Sequence, residues 1–235
     1  MTVHRSDPPV PPRAILFDWD NTLVDNWPAV NQALNAAFAA MGHEPWTLEE
    51  TRSRVKKSLR DSFPEMFGDR WTEARDAFYG RFAEVHLDYL DPIPGSAAGL
   101  SWLAGAGIYL GVVSNKAGEY LRAEAVRLGW DAYFGKVVGA TDAKRDKPDP
   151  APVHLALAGS GIVAGPDVWF VGDGAIDVEC ALNAGLTPIA FLREGTEGEL
   201  ERHNLVQFVD KECRVQSMGG LKTLVKNRLA TISGQ

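Results

Sequence analysis

Four short apolar runs along the chain have the length of strands, and helical patterns separate them. They are AILF at 14–17, YLGVV at 109–113, VWFV at 168–171 and PIAFL at 188–192, with KVVGA at 136–140 as a weaker fifth. Because the runs do not alternate with polar residues, they predict strands that are buried on both faces, as in a parallel sheet. The intervening helical patterns favour repeated strand–helix–strand units, so the sequence predicts an α/β fold.

One connection is much longer than such a unit needs. About 90 residues separate the first two runs, and the stretch 27–90 has only helical periodicity. A crossover between parallel strands needs little more than a dozen residues. We therefore expect an inserted helical unit with helices over 26–42, 47–59 and 71–90.

These patterns divide the chain into a core and three other segments. The predicted core is discontinuous and consists of 13–26 and 92–215, with the helical insertion over 27–91. Prolines in the first residues disfavour helix, so 1–12 is expected to be a disordered or extended lead-in. The last segment, 216–235, is expected to form a C-terminal helix and tail.

Composition narrows the classes of protein that are possible. The net charge of −7 disfavours binding to nucleic acid, although a small basic pocket for an anionic metabolite remains compatible with it. Cys180 and Cys213 are too few for a disulfide framework and lack metal-ligand spacing. The N-terminus has no apolar region typical of a secretory signal, and no apolar run approaches the roughly 20 residues of a membrane span. We expect a cytoplasmic protein without membrane contact.

Polar residues that could bind a ligand or take part in catalysis directly follow three of the apolar runs. In open parallel sheets, binding sites form at the carboxyl ends of the strands. The relevant residues are Asp18, Asp20 and Thr22 after the first run, Ser114, Asn115 and Lys116 after the second, Asp173 and Asp177 after the third, and Lys147 in the segment DKPDP.

Several carboxylates at one edge of a sheet repel one another unless a cation lies between them. Oxygen ligands favour a hard cation, and Mg²⁺ suits a site with few carboxylates. Asp18 and Asp20 lie two residues apart, so in an extended chain their side chains leave on the same face. We expect Asp18 to attack phosphorus and Asp20 to act as general acid and base. Ser114 and Lys147 would then bind the phosphoryl oxygens.

The same residues resemble the four motifs of the haloacid dehalogenase superfamily. FDWDNTL resembles the first motif, SNK the second, DKPDP the third and GDGAID the fourth, and the resemblance extends from about 13 to 215. It implies a doubly wound, Rossmann-like parallel sheet core with an inserted α-helical cap. It also implies Asp18 as the nucleophile and Asp20 as the acid and base.

The resemblance further assigns ligands to the metal and to the phosphoryl group. Mg²⁺ would be bound by Asp18, the backbone carbonyl of Asp20 and Asp173, with Asp177 close by. The phosphoryl group would be bound by Ser114 and Lys147, and we predict Thr22 and Asn115 as further phosphate-binding residues. Two residues depart from the usual first motif, since Asn21 replaces a glycine and Trp19 is bulkier than common.

The subclass of enzyme is also suggested by single residues. Dehalogenases of this superfamily lack the second carboxylate that Asp20 provides here. Sugar phosphomutases often carry valine where this chain has Thr22. The layout with SNK and KPDP is similar to phosphoglycolate phosphatases, so a Mg²⁺-dependent phosphatase acting on a small phosphorylated metabolite is expected, with phosphoglycolate as the candidate substrate.

Substrate choice is expected to depend on the cap, because the core handles only the phosphoryl group. The segment 53–68 is its most basic piece. Lys57 or Arg60 is expected to enter the cleft and bind a carboxylate or second phosphate, although a solvated helix face would have the same pattern.

Three other classes share part of this pattern. A sugar phosphomutase uses the same aspartyl-phosphate chemistry and is the main alternative. A phospho-accepting receiver domain has about half this length and lacks the helical insertion. An inactive binding module is disfavoured because every catalytic position is filled. A monomer and a homodimer are equally compatible with the sequence.

Overall fold

A six-stranded parallel sheet lies at the centre of the protein, seen in a computed structural model that describes residues 9–55, 57–193 and 198–233. Two further short strands pair with each other outside this sheet. In chain order, the strands are β1 (Ala14–Phe17), β2 (Val24–Asp25), β3 (Asp91–Pro92), β4 (Tyr109–Ala117), β5 (Lys136–Ala140), β6 (Val168–Gly172), β7 (Thr187–Phe191) and β8 (Arg214–Val215). The main sheet has the order β5-β4-β1-β6-β7-β8, and every neighbouring pair in it is parallel.

The central strand β1 explains why the apolar runs become strands. All four of its side chains are fully buried, and they alternate between the two faces of the sheet. Ile15 and Phe17 belong to one apolar cluster, and Ala14 and Leu16 belong to another. Both faces are therefore covered, as the uninterrupted apolar runs predicted. All five predicted strands are present, and β8 is a short strand that the sequence pattern did not predict.

The helices flank the sheet or form a separate group. They are α1 (Trp27–Met41), α2 (Leu48–Arg54), α3 (Leu59–Phe67), α4 (Trp71–Val85), α5 (Ser96–Gly105), α6 (Gly118–Arg127), α7 (Ala151–Leu157), α8 (Ala175–Asn183), α9 (Glu199–Arg202) and α10 (Met218–Ser233). Residues of α5, α6 and α10 pack on one face of the sheet, and residues of α7 pack on the other. The predicted fold class, a doubly wound parallel sheet with inserted helices, is confirmed.

Helices α1 to α4, here called the helical unit, have apolar clusters of their own. In one cluster, Phe38 of α1 packs with Phe63 and Phe67 of α3 and with Ala74 of α4. The helix predicted over 47–59 ends at Arg54, because Val55 is extended, and a new helix begins after the extended Ser58. Packing of the α3 aromatic residues in the unit outweighs the helical preference of the connecting residues.

The helical unit connects to the sheet through the antiparallel pair β2–β3. Val24 lies opposite Pro92, and Asp25 lies opposite Asp91. The chain thus leaves and re-enters the core at neighbouring points, close to the predicted limits of the insertion. The domain limits themselves stay a prediction, and most of the lead-in lies outside the described residues. Within the described part of the chain, no helix is both long and apolar enough to span a membrane.

Candidate active site

The carboxyl edge of the sheet brings the predicted polar segments together. Phe17 of β1 lies opposite Val112 of β4 and Val171 of β6, so the residues that come next in each segment lie side by side at this edge. In β4 these residues, including Ser114, still belong to the strand, which ends at Ala117. The backbone N–H of Asp18 continues the ladder and donates to the carbonyl of Val171 at 2.9 Å. Because β1 lies between β4 and β6, Asp18 is at the centre of the resulting site.

Three of the predicted carboxylates form one group. Asp18, Asp173 and Asp177 each offer a carboxylate oxygen, and these three oxygens lie within 4.8 Å of one another. Lys147 donates from Nζ to Oδ1 of Asp18 and to Oδ1 of Asp177, each at 2.7 Å. The motifs DKPDP and GDGAID therefore lie next to FDWDNTL in space, although Lys147 is 129 residues from Asp18.

Electrostatics in this group favour a bound cation. Burial, together with the charges of Asp177 and Asp18, raises the pKa of Asp173 to about 7. Burial also raises the pKa of Asp177 to about 6, against the opposing charge of Lys147. Three crowded carboxylates with one ammonium leave an excess of negative charge, and hard oxygen ligands of this kind fit a divalent cation such as Mg²⁺. The carboxylate of Asp20 is not in the group, because its Oδ1 accepts a hydrogen bond from Lys116 Nζ at 2.6 Å.

Asp173 is held by two residues of the first segment. Asn21 donates from Nδ2 to Oδ2 of Asp173 at 2.5 Å, and the Thr22 hydroxyl donates to Oδ1 at 3.4 Å. Arg193 in turn donates to Oδ1 of Asn21 at 3.0 Å. The side chain of Thr22, predicted to bind phosphate, is fully buried and contacts Asp173.

Asp177 is fixed by the start of α8. Its Oδ2 accepts a hydrogen bond from the N–H of Gly174 at 3.0 Å. A Cβ atom at position 172 would lie 2.3 Å from Cγ of Asp177, which is far below any real contact. Gly172 is therefore required for Asp177 to approach the end of β6.

The second segment contributes to the site and to the loop that carries Lys147. Ser114 is buried, and its Oγ accepts a hydrogen bond from the N–H of Lys116 at 3.2 Å. Asn115 accepts from the N–H of Lys147 at 2.9 Å and donates to its carbonyl at 3.2 Å. Since Lys147 has two backbone bonds to Asn115, that side chain positions the lysine whose ammonium faces Asp18.

A cavity of about 1080 Å³ extends from this edge toward the helical unit. The core side includes Asp18, Asp20 and Lys147, and Lys57 lines the opposite side, where it pairs with Glu65 at 2.8 Å. Arg60 is not among the lining residues, and it pairs with the buried Asp146 at 2.7 Å. The two basic cap residues that the sequence singled out thus differ in position, since Lys57 faces the cleft and Arg60 bridges the helical unit to the loop of Lys147.

A model of the family described as haloacid dehalogenase-like hydrolases matches residues 15–191. The chain belongs to this family. The predicted superfamily and the predicted enzyme class of hydrolase are confirmed. The match spans the sheet edge, the helical unit and the carboxylate group described above.

Sequence relatives within this family include named phosphatases. The chain is 30% identical over 185 residues to phosphoglycolate phosphatase 1 of Pseudomonas aeruginosa, an alignment that covers 74% of this chain and 67% of that protein. It is 32% identical over 186 residues to a phosphoglycolate phosphatase of Xanthomonas campestris, which covers 77% of this chain and 83% of that protein.

Two solved structures illustrate the likeness in fold. A haloacid dehalogenase-like hydrolase from Streptococcus pneumoniae superposes with a TM-score of 0.75 at 19% identity, covering 93% of this chain and 98% of that one. A predicted phosphatase from Clostridium acetobutylicum superposes with a TM-score of 0.77 at 22% identity, covering 94% and 99%. At these identities, the comparison supports the fold of the haloacid dehalogenase-like hydrolases.

The structure gives a physical account of Asn21, which replaces the glycine usual in this motif. Its backbone φ is +62°, in the left-handed region that glycine adopts freely and asparagine tolerates better than other residues. Asparagine therefore keeps the turn and adds a side chain that glycine lacks. That side chain connects Asp173 to Arg193.

Replacing Asn21 by glycine tests this function of the side chain. In Asn21→Gly the turn is kept, but the hydrogen bond to Asp173 is lost, so we expect the affinity of the carboxylate group for a divalent cation, tested with Mg²⁺, to fall by about tenfold or more. Asn21→Ala loses the same bond and adds strain at positive φ, so it should also be about 1 kcal/mol less stable than Asn21→Gly. Titration of activity with Mg²⁺ and urea unfolding would measure the two effects. Unchanged Mg²⁺ dependence in both variants would contradict the function assigned to Asn21.

Sequence reasoning missed two contributors to the site. Arg193 directly follows the predicted strand 188–192, so the rule that placed the other segments at strand ends could have identified it. The sequence places Lys116 after the second apolar run but predicts no function for it, and in the structure its buried ammonium contacts Asp20. Its partner Glu124 lies on α6, and the sequence there resembles an ordinary polar helix face, so nothing in it singles out Glu124.

Proposed function

We propose that this haloacid dehalogenase-like hydrolase is a Mg²⁺-dependent phosphatase that hydrolyses a small phosphate monoester through an aspartyl phosphate on Asp18. The observation that carries the proposal is the group at the carboxyl edge of the sheet, in which Asp18 contacts Lys147 and lies beside Asp173 and Asp177. A nucleophile, a fixed positive charge and metal-ligating carboxylates are the parts that phosphoryl transfer requires.

In the first step, a carboxylate oxygen of Asp18 attacks phosphorus while the bond from phosphorus to the substrate oxygen breaks. Asp20 donates its proton to that departing oxygen, which leaves as an alcohol. Burial raises the pKa of Asp20 to about 6, and the charge of Lys116 opposes this rise. A pKa in this range allows the carboxyl group to hold a proton and to release it near neutral pH.

In the second step, Asp20 removes a proton from water, and the resulting hydroxide attacks phosphorus. The bond between phosphorus and Asp18 breaks, which releases orthophosphate and restores the carboxylate. Lys147 and Ser114 would bind phosphoryl oxygens through both steps. Thr22 and Asn115, predicted as further phosphate ligands, also have positioning contacts to Asp173 and Lys147.

The residues proposed to hold Mg²⁺ are Asp18, Asp173 and Asp177, with the backbone carbonyl of Asp20 as a further ligand. All offer the oxygen atoms that this cation prefers. When bound, Mg²⁺ supplies positive charge that offsets the charge of the phosphoryl group and of the attacking carboxylate.

Phosphoglycolate is the proposed substrate, supported by the names of the relatives from Pseudomonas aeruginosa and Xanthomonas campestris. The test is a panel of small phosphate monoesters, including 2-phosphoglycolate and glucose phosphates, assayed for orthophosphate release with Mg²⁺ and with EDTA. We expect release from at least one small ester only when Mg²⁺ is present. No release from any ester would contradict a phosphatase, and conversion of one glucose phosphate to its isomer without release would favour a sugar phosphomutase.

The proposed cap residues Lys57 and Arg60 can be tested separately. Arg60→Ala is expected to raise KM for the best substrate at least several-fold, because the bond from Arg60 to Asp146 holds the helical unit against the loop of Lys147. The fold should be retained, but with lower stability, because the buried carboxylate of Asp146 loses its cationic partner. Lys57→Ala is expected to raise KM because Lys57 lines the cleft. Arg70→Ala is a matched control, since Arg70 is exposed and pairs within its own segment with Glu73. An unchanged KM in Lys57→Ala would remove Lys57 from substrate binding, and an unchanged KM in Arg60→Ala would contradict the bridging function of Arg60.

The protein's location and assembly stay predictions. A cytoplasmic protein that acts on a small phosphorylated metabolite is still expected, and both a monomer and a homodimer remain compatible with the chain.

A further inference from the structure

A fully buried carboxylate lies between the helical unit and the active site. Glu124 of α6 has no exposed surface, and four side chains lie within hydrogen-bond distance of it. Trp19 Nε1 and Lys116 Nζ donate to Oε2, each at 2.7 Å, and Asn26 Nδ2 donates to Oε1 at 2.7 Å. His86 Nδ1 lies 3.0 Å from Oε1. These five residues are called the Glu124 cluster.

Neighbouring groups stabilise the ionised form of Glu124. Burial alone would raise its pKa, but the charge of Lys116 and the surrounding hydrogen bonds outweigh burial and lower the pKa of Glu124 below its ordinary value. A buried carboxylate without such partners would cost several kcal/mol. The chain thus maintains an ionised group in its interior at a position outside the proposed chemistry.

The side chain of Lys116 connects the cluster to Asp20. Lys116 Nζ donates to Oε2 of Glu124 at 2.7 Å and to Oδ1 of Asp20 at 2.6 Å. The lysine side chain is only 4% exposed, so these two carboxylates fix its ammonium group. Asp20 is therefore separated from Glu124 by one bridging cation.

The other members come from the two ends of the helical unit. Asn26 directly precedes α1, and His86 directly follows α4. Both contact the same oxygen of Glu124, so the carboxylate joins the entry and the exit of the unit to the core. Trp19 lies between the two aspartates of the first motif, and its buried ring packs edge-on against Trp130 at 5.8 Å.

We propose that Glu124 is a positioning residue for Asp20, acting through Lys116, and that it couples the placement of the helical unit to the acid and base of the reaction. This proposal rests on the proposed phosphatase function. Glu124 holds Lys116 Nζ at a fixed point, which anchors one oxygen of Asp20 and directs the other toward the substrate oxygen. Without Glu124, Lys116 would form an unshared ion pair with Asp20 and keep its carboxylate from the leaving group.

The readout that separates this function from a purely structural one is the dependence on the leaving group. General acid catalysis contributes roughly 100-fold or more for a poor leaving group and matters little for a good one. An alkyl phosphate such as 2-phosphoglycolate needs the proton from Asp20, whereas p-nitrophenyl phosphate releases a stable phenolate. The constant kcat/KM reports the formation of the aspartyl phosphate, which is the step that requires this proton.

The test is Glu124→Gln, which keeps the size of the side chain and replaces one acceptor oxygen by a donor. We expect kcat/KM to fall by about tenfold or more for the alkyl phosphate and by about twofold or less for p-nitrophenyl phosphate. Arg122→Gln is the matched control, because Arg122 lies on the same helix and pairs with Asp142 away from the cluster. Its kcat/KM values should match those of the wild type for both esters.

A double-mutant cycle with Asp20→Asn completes the test. If Glu124 acts through Asp20, adding Glu124→Gln to Asp20→Asn should not change the ratio of the two kcat/KM values further. Equal losses for both esters, or additive effects in the double variant, would overturn the proposal. If circular dichroism shows that Glu124→Gln does not fold, Trp19→Phe replaces it as the test variant, because it removes one hydrogen-bond donor to Glu124. We expect a smaller change in the ratio of the two kcat/KM values, in the same direction. An unchanged ratio would overturn the proposal.

The wild-type assay distinguishes this proposal from the function on which it rests. A wild-type protein that hydrolyses neither ester would overturn the phosphatase function together with the positioning of Asp20. An active wild type whose leaving-group selectivity does not respond to Glu124→Gln would overturn only the positioning function.

Discussion

Replacing Asp18 by asparagine is expected to lower kcat by about a thousandfold or more with every substrate of the panel. The amide is a far weaker nucleophile than the carboxylate, and no other carboxylate described at this edge lies at the end of the central strand. Steady-state release of orthophosphate would measure the loss. Acid quench of the wild type with ³²P-labelled substrate should also trap a phosphoprotein that Asp18→Asn does not form.

The size of the side chain is retained in this variant, so the fold should persist. Lys147 loses one of two carboxylate partners and keeps its bond to Asp177 at 2.7 Å. A native circular dichroism spectrum together with the lost activity would therefore locate the defect in the chemistry. Full activity in Asp18→Asn would mean that the aspartyl-phosphate mechanism is wrong.

Removal of divalent cations is expected to make the stability of the wild type strongly dependent on pH. The pKa of Asp173 is raised to about 7 and that of Asp177 to about 6, so the folded state binds protons more tightly than the unfolded state. The stability contributed by these groups is complete below about pH 4 and is lost as the pH rises through about 7. In EDTA, the Tm should fall across this range, and Mg²⁺ should restore it most at high pH.

Asp173→Asn isolates the contribution of one carboxylate. The variant lacks the titrating group, so in EDTA its Tm relative to that of the wild type should increase as the pH rises. Mg²⁺ should raise its Tm much less than that of the wild type, and its hydrolytic activity should be lost. Equal Mg²⁺-induced shifts in both proteins would contradict the proposed metal site.

The sequence predicted those parts of the fold in which the pattern of a short segment is enough to indicate its structure and burial. The run AILF has no polar position and only the length of a strand, so it favours a strand buried on both sides. The split of the helix predicted over 47–59 could not be predicted, because residues on both sides of Val55 favour helix. The position of the second helix depends on packing of Phe67 against Phe38 and of Phe63 against Phe67.

In the candidate site too, residues with a local sequence signal could be predicted and residues without one could not. Asp18, Ser114 and Asp173 directly follow apolar runs, so the topology of a parallel sheet brings them together. Glu124 has no such local signal, because its partners Trp19 and Asn26 lie 105 and 98 residues away in the chain. Only the three-dimensional structure brings these distant positions into one buried group.

The neighbouring entry and exit strands β2 and β3 have a consequence for how such an enzyme can diverge. A segment whose two ends lie side by side can be exchanged for another without changing the sheet, so recognition can evolve while the chemistry is conserved. In this chain, both junctions are also tied to Glu124 through Asn26 and His86. A different helical unit inserted at this point would have to provide equivalents of those two side chains. The contacts with Glu124 therefore restrict exchange of the unit more than the positions of its two ends alone would.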